Sequence, residues 1–531
     1  MKTIQSTQNM KKTLLFSLLT AGLGLSAVAQ EAVDAAAVQK IREEGLNHSQ
    51  VMKTAFFLTD VAGPRLSGSP GLKKAQNWAV NELKSYGLVN AKLEPWGKFG
   101  KGWQVNKNYA AITVPYYHAI IAIPKAWTSS TKGAIKGDVV LIKIDTLTDL
   151  PKYKGQLAGK IVVIDNNAPA LVRSKTPDLS RYTDEELAKM AAATPQPAGG
   201  RGGQRGGGNP QMATFMAARA KAAAMRGAIS AFLQQENAAL ILSQGRGTDG
   251  TVFTTNGASY ADTAKLALPE LETSGEDFLR IVRLLRAGQK VQMEADVQTQ
   301  FYTDDLQGYN VVAEIAGTDK KLKEQVVMIG GHFDSWHAGT GATDNAAGSA
   351  VMMEAMRILK TIGFKPKRTI RIALWSSEEQ GLFGSRGYVA AHYGKKDSLK
   401  AEQSKVSAYY NLDNGTGKIR GVYQQGNAGV GSIFQSWLEP FKDLGATTVT
   451  IGNTGGTDHQ SFDAVNIPGF QFIQDGMDYN TRTHHSNQDT YDRLVEDDLK
   501  QAATIVASFV YHTSQRAEML PRKEAPKAGT N

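Results

Sequence analysis

From Gly308 onward the chain alternates between short apolar runs and longer stretches of helical spacing. NVVAEIAG, EQVVMIGG, RTIRIALW, VSAYYNL, GVYQQ, TTVTIGN and IPGFQFI read as strands. Helices are expected from Asn345, near Ser385, over 430–444 and at the C-terminal end. In the helix after Asp344, the residues Ala347, Val351, Ala355 and Ile358 form one apolar face, with Glu354, Arg357 and Lys360 pointing elsewhere. The last helix repeats this pattern with Leu499, Ala502, Ala503, Val506, Phe509 and Val510. Such alternation predicts an α/β fold, a mixed central sheet flanked by helices.

Upstream, 31–61 reads as helical and stops at the turn GPRLSGSPG. Leu72, Ala75, Ala79, Leu83 and Tyr86 then fall at helical spacing, and Gly87 stands where a left-handed C-terminal cap is expected. The strand NAKLEPW follows. Between about 110 and 302 the pattern changes to short strands, DVVLIKID, GKIVVID, ALILSQG and the strictly alternating VQMEADV, separated by helices at 212–235 and 276–286. Ser274 is placed as the cap of the second of these helices. The expected organisation is an N-terminal part of a main domain (31–109), a β-rich insert domain with its own core (110–302), the rest of the main domain (303–515) and a flexible tail (516–531). Within the insert, PQPAGGRGGQRGGGNP at 195–210 lacks the apolar side chains to offset its ordering entropy and is read as a disordered loop. It has neither the repeats nor the neighbouring aromatics of an RNA-binding RGG segment.

A length of 531 residues exceeds what one core usually encloses, and 41% hydrophobic with 21% charged residues is ordinary for a globular protein. The net charge of +10 is modest for this size, so no nucleic-acid partner is expected. Lys2, Lys11 and Lys12 precede the apolar run LLFSLLTAGLGLSAVA, which ends in Ala27-Val28-Ala29, the pattern of a secretory signal peptide over 1–29. The run is short of the ~20 residues a membrane span needs and no other stretch is apolar enough, so an exported, periplasmic or secreted protein without stable membrane insertion is expected. There is no cysteine, hence no disulfide framework.

The candidate chemistry gathers where apolar strands end: His332 after VVMIGG, Glu378 and Glu379 after IRIALWSS, Asp413 after YYNL, with Asp344 in GTGATDN and His485 in THHSNQDTY. Open α/β sheets place ligands at the carboxyl ends of their strands. Two histidines and three carboxylates, with one glutamate to spare, suit two zinc ions. A carboxylate must bridge ions so close together, and the glycines around Asp344 let the backbone approach tightly there.

GGHFDSW, GATDNAAGSAVMMEAMRIL, KRTIRIALWSSEEQGLFGSRGYV, YYNLDNGTG, GGTDHQSF and HHSNQDTY, in this order, resemble the di-zinc exopeptidases that include bacterial secreted leucyl-type aminopeptidases and the plasma and prostate-membrane glutamate carboxypeptidases. The insert with LAGKIVVID resembles the protease-associated domain of many members. The resemblance implies that His332 and Asp413 bind one zinc, Glu379 and His485 the other, and that Asp344 bridges them. It makes Glu378 the general base toward an attacking hydroxide held by the two metals. Asp334 is expected to fix the His332 imidazole in its ligating tautomer, and Asp489 to do likewise near His485. His484 stands where some relatives carry an oxyanion-stabilising tyrosine, so His484, Tyr479 and the zinc ions remain the candidates for that role. His459, in the GGTDHQSF loop, is a candidate for the substrate pocket. The expected activity is zinc-dependent removal of single residues from peptides, at the amino end. Carboxypeptidase or dipeptidase action is the alternative, since the metal site selects neither terminus. A catalytically inactive binding protein on the same scaffold is the rival from another class, against which stands the complete ligand set.

Overall fold

The computed structural model describes residues 31–165, 171, 177–194 and 210–523. The expected signal peptide, nearly all of the Gly/Arg-rich loop and the end of the tail lie outside these residues. An eight-stranded sheet forms the centre of the main part: β1 (Val89–Lys98), β2 (Gln307–Ile315), β3 (Val326–His332), β4 (Thr369–Trp375), β5 (Val406–Asn411), β6 (Ile419–Tyr423), β7 (Thr448–Thr450) and β8 (Gly469–Gln474), in the order β1-β2-β4-β3-β5-β8-β6-β7. The middle strands β4, β3, β5 and β8 are mutually parallel. β1 and β2 pair antiparallel at one edge, and β6 turns antiparallel to β8 near the other. The expected mixed α/β sheet is therefore present, with its parallel strands presenting their carboxyl ends along one edge.

Four of the flanking helices are α1 (Ala35–Asn47), α2 (Pro70–Ser85), α3 (Ala347–Thr361) and α4 (Glu496–Gln515). Ser69 caps α2 by accepting from the Leu72 N–H, Pro70 occupies the first turn, and Gly87 beyond its end takes φ +80°, as its position predicts. The expected apolar face of α3 is buried, but Glu354 does not point to water. Helices α1 and α4 and the helix Val51–Phe56 pack on α3, so its polar side is enclosed as well. Glu354 is fully buried there, accepting from Ser49 Oγ, the Gln50 N–H and Arg357. A charge enclosed in this way is stable only with such partners.

A second eight-stranded sheet lies within the segment between β1 and β2. Its order is His118–Ala119, Gly102–Val114, Gln292–Tyr302, Ile135–Lys143, Ile161–Asp165, Leu240–Gln244, Glu270–Thr273 and Ala122–Pro124. It has a hydrophobic cluster of its own, including Ile112, Val163, Leu242, Phe278 and Met293. Ser274 caps the helix Gly275–Arg286 by accepting from the Asp277 N–H. Residues 516–523, expected to begin a flexible tail, are packed instead: Leu520 is buried, Asn427 donates to the Pro521 carbonyl, and Arg522 donates to the carbonyls of Gln403 and Val406.

Candidate active site

His332 is the last residue of β3, Glu378 and Glu379 follow β4, Asp413 follows β5, and His485 lies on the loop after β8. Strand register therefore brings together residues far apart in sequence. Asp344 reaches the same point from the turn that opens α3, where Gly339 and Gly341 let the chain fold tightly. A Cβ on Gly339 would stand 2.6 Å from the Asp489 carbonyl, and Gly341 adopts φ +63°. Among the non-glycine residues in left-handed conformations are Ser377 (φ +59°), which sets the turn aiming Glu378 and Glu379, and His485 itself (φ +60°). Such conformations persist where surrounding structure imposes them and concentrate at functional sites.

The two oxygens of Asp344 face different partners. Oδ1 is 3.2 Å from His332 Nε2, which is also 3.3 Å from Asp413 Oδ1. Oδ2 is 3.3 Å from His485 Nε2, which is also 2.8 Å from Glu379 Oε2. His484 Nε2 is 3.9 Å from the same oxygen, and its side chain is more exposed than that of His485. Two compact donor groups emerge, His332 with Asp344 and Glu379, and Asp344 with His484 and His485. Asp344 Oδ2 and Glu379 Oε1 are buried without a hydrogen-bond partner among the described residues. Buried carboxylate oxygens in that state, crowded beside imidazoles, are the donor set a borderline divalent cation such as zinc takes. Burial first, then mutual repulsion among Asp344, Asp413, Asp458 and their neighbours, drives Glu378 and Glu379 well above the ordinary carboxyl range.

Asp334 meets the His332 ring chiefly through its main chain. Its backbone carbonyl, at 3.0 Å, accepts from His332 Nδ1, whereas its carboxylate is 3.8 Å away. That carboxylate accepts from Ser67 Oγ and from the backbone N–H groups of Glu378 and Glu379. The ring is thus fixed by main chain, and the Asp334 side chain fixes the glutamate turn. Asp489 acts on His485 through its charge. It accepts from the N–H groups of Thr343 and Asp344 and so anchors the Asp344 turn, with its own pKa pushed up to about 7 by burial.

Tyr479 is buried with its ring 4.8 Å from that of His484, and burial together with nearby carboxylates raises its pKa well above that of a free phenol. His459 is buried with Nε2 3.1 Å from both the Thr454 carbonyl and Gln425 Nε2, and burial lowers its pKa to about 4. Its Nδ1 is buried without a hydrogen-bond partner among the described residues.

Arg65, unremarkable in the turn GPRLSGSPG, proves central. Its fully buried guanidinium donates to the carbonyls of Leu58, Phe333, Thr340 and Gly341, tying together the segments that carry Asp334 and Asp344. Desolvation lowers its pKa to about 10, against the pull of Asp489 and Asp334. Nothing in local sequence marks it, because all of its partners but Leu58 are distant in the chain.

Fold and site together are those of an α/β metallopeptidase. Residues 310–510 match the model of peptidase family M28. Over 526 residues the chain is 27% identical to carboxypeptidase Q of Mus musculus, covering 95% of this chain and 97% of that protein. Leucine aminopeptidase 2 of Trichophyton equinum is 32% identical over 217 residues, 38% of this chain and 40% of that one. Among solved structures, a peptidase M28 precursor from Shewanella amazonensis SB2B superposes with a TM-score of 0.63 at 25% identity, covering 92% of this chain and 98% of that chain.

Proposed function

We propose that this protein is a two-zinc exopeptidase acting on the amino end of peptides. The observation that carries the metal reading is the division of Asp344: one oxygen faces His332 and Asp413, the other His485 and Glu379. In this reading His332 and Asp413 hold one zinc, His485 and Glu379 the second, and Asp344 both. His485 is preferred to His484 because it alone of the two lies against Glu379 as well as Asp344. When bound, the zinc ions supply Lewis acidity, polarising a substrate carbonyl and acidifying water.

The chain supplies the rest. Donation from His332 Nδ1 to the Asp334 carbonyl leaves Nε2 free as the ligating atom. The Asp334 carboxylate pins the Glu378 N–H, so that Glu378 is aimed to take a proton from water and deliver it to the leaving amine. In this reading Tyr479 and His484, whose rings lie 4.8 Å apart, donate toward the developing oxyanion. The amino-end preference is supported by the similarity to leucine aminopeptidase 2 of Trichophyton equinum, 32% identical over 217 residues. Carboxypeptidase action is the second reading, favoured by the similarity to carboxypeptidase Q along nearly the whole chain.

Glu378→Gln is expected to retain fold and zinc while losing about 100- to 10,000-fold in turnover. Unchanged turnover removes Glu378 from the role. Aminoacyl anilides are expected to be cleaved and N-blocked peptides spared; the reverse pattern selects the carboxypeptidase reading.

A further inference from the structure

The loop 475–487 carries His485, and the segment between β1 and β2 grips it from two directions. On one side, residues 250–254 run alongside the ligand itself. The Thr254 N–H donates to the His485 carbonyl (2.8 Å), the Asn487 N–H to the Val252 carbonyl (3.1 Å), and the Val252 N–H to Asn487 Oδ1 (2.7 Å). Asn487 Nδ2 also donates to the Gly250 carbonyl, and Phe253 forms an antiparallel bridge with Ser486. On the other side, Ser180 bridges Met477, and Thr481 Oγ1 donates to the Asp178 carbonyl. Arg482 joins the two. Its guanidinium pairs with Asp178 and Asp249 and donates to the Thr248 carbonyl and Thr251 Oγ1.

These contacts close on a residue whose backbone is strained, since His485 takes φ +60° without being glycine. His332, by contrast, is fixed within the main sheet, where Ser349 Oγ donates to its carbonyl and the Asp334 carbonyl holds its ring.

We propose that the segment between β1 and β2 is a positioning device for one of the two metal sites: through Arg482 and Asn487 it holds the His485 loop in its ligating conformation, and the His332 side does not depend on it. This rests on the two-zinc reading above. Arg482 and Asn487 are positioning residues, acting through His485. Loss of supporting contacts behind a metal ligand typically costs 10- to 100-fold in metal affinity, and here that loss falls on one site.

The test is calorimetric titration of the metal-free full chain with Zn²⁺, in wild type, Arg482→Ala, Asn487→Ala and Asp178→Asn, with thermal melting of each alongside. Asp178 is half-exposed, so its variant reads the clamp even if Arg482→Ala fails to fold. Wild type is expected to bind two ions. The folded variants are expected to keep one site at wild-type affinity and to weaken the other at least tenfold, with Arg482→Lys recovering part of the loss. Unchanged affinities, or equal weakening of both sites, overturn the clamp. Fewer than two ions in wild type overturns the two-zinc reading beneath it, a failure visible without any variant.

Discussion

Among single residues, Arg65 carries the largest structural burden near the site. Arg65→Ala would strand the carbonyls of Leu58, Phe333, Thr340 and Gly341 in a dry interior and remove the cation nearest Asp489 and Asp334. A loss of about 3–5 kcal/mol is expected in chemical denaturation. His337 gives a pH signature. Its buried Nε2 donates to the Pro124 carbonyl, and burial lowers its pKa to about 4. The folded pKa lies below the unfolded one, so its stabilisation is complete above about pH 6.5. It is lost as pH falls toward 4, where only the unfolded chain binds the proton, up to about 3 kcal/mol. Denaturation midpoints should therefore fall from pH 6.5 to 4, and His337→Gln should flatten part of that slope; an unchanged slope contradicts the assignment. His332, Glu378, Glu379 and Asp413 were legible in sequence because each follows an apolar strand, and Asp344 because it lies in a glycine-rich turn; His485, well beyond the end of β8, was marked by the resemblance of HHSNQDTY. Arg65 and the true partners of Asp334 and Asp489 were not, since hydrogen bonds between distant backbone segments leave no local pattern.

Among elements, α3 shows how site and core share one packing. Its first turn meets the end of β5, where Asn345 Nδ2 donates to the Leu412 carbonyl and a Cβ on Gly348 would come within 2.2 Å of that same oxygen. Gly348→Ala must therefore push Leu412, and with it Asp413, away from α3. An overpacking cost of about 1–3 kcal/mol is expected, together with weaker zinc binding in the same titration. Normal stability with normal metal affinity would show that the turn yields without disturbing Asp413. The apolar stripe of α3 was readable from spacing. The burial of Glu354 was not, because helical periodicity reports one partner surface and α3 has more than one.

At the scale of the molecule, the sequence separated two kinds of strand pattern, and the structure has two eight-stranded sheets with separate hydrophobic clusters. How they meet was not legible. The bonds between Thr254 and His485, or Arg482 and Asp178, join positions hundreds of residues apart through loops of unexceptional composition. No helix among the described residues is long and apolar enough to cross a membrane. Asp344, whose two oxygens face different partners, is the pivot of the two-zinc proposal. The most direct test is the number of zinc ions bound per chain when the metal-free protein is titrated to saturation and weighed by native mass spectrometry. Two ions in wild type and at most one in Asp344→Asn is the predicted result; a single ion or none in saturated wild type would contradict it.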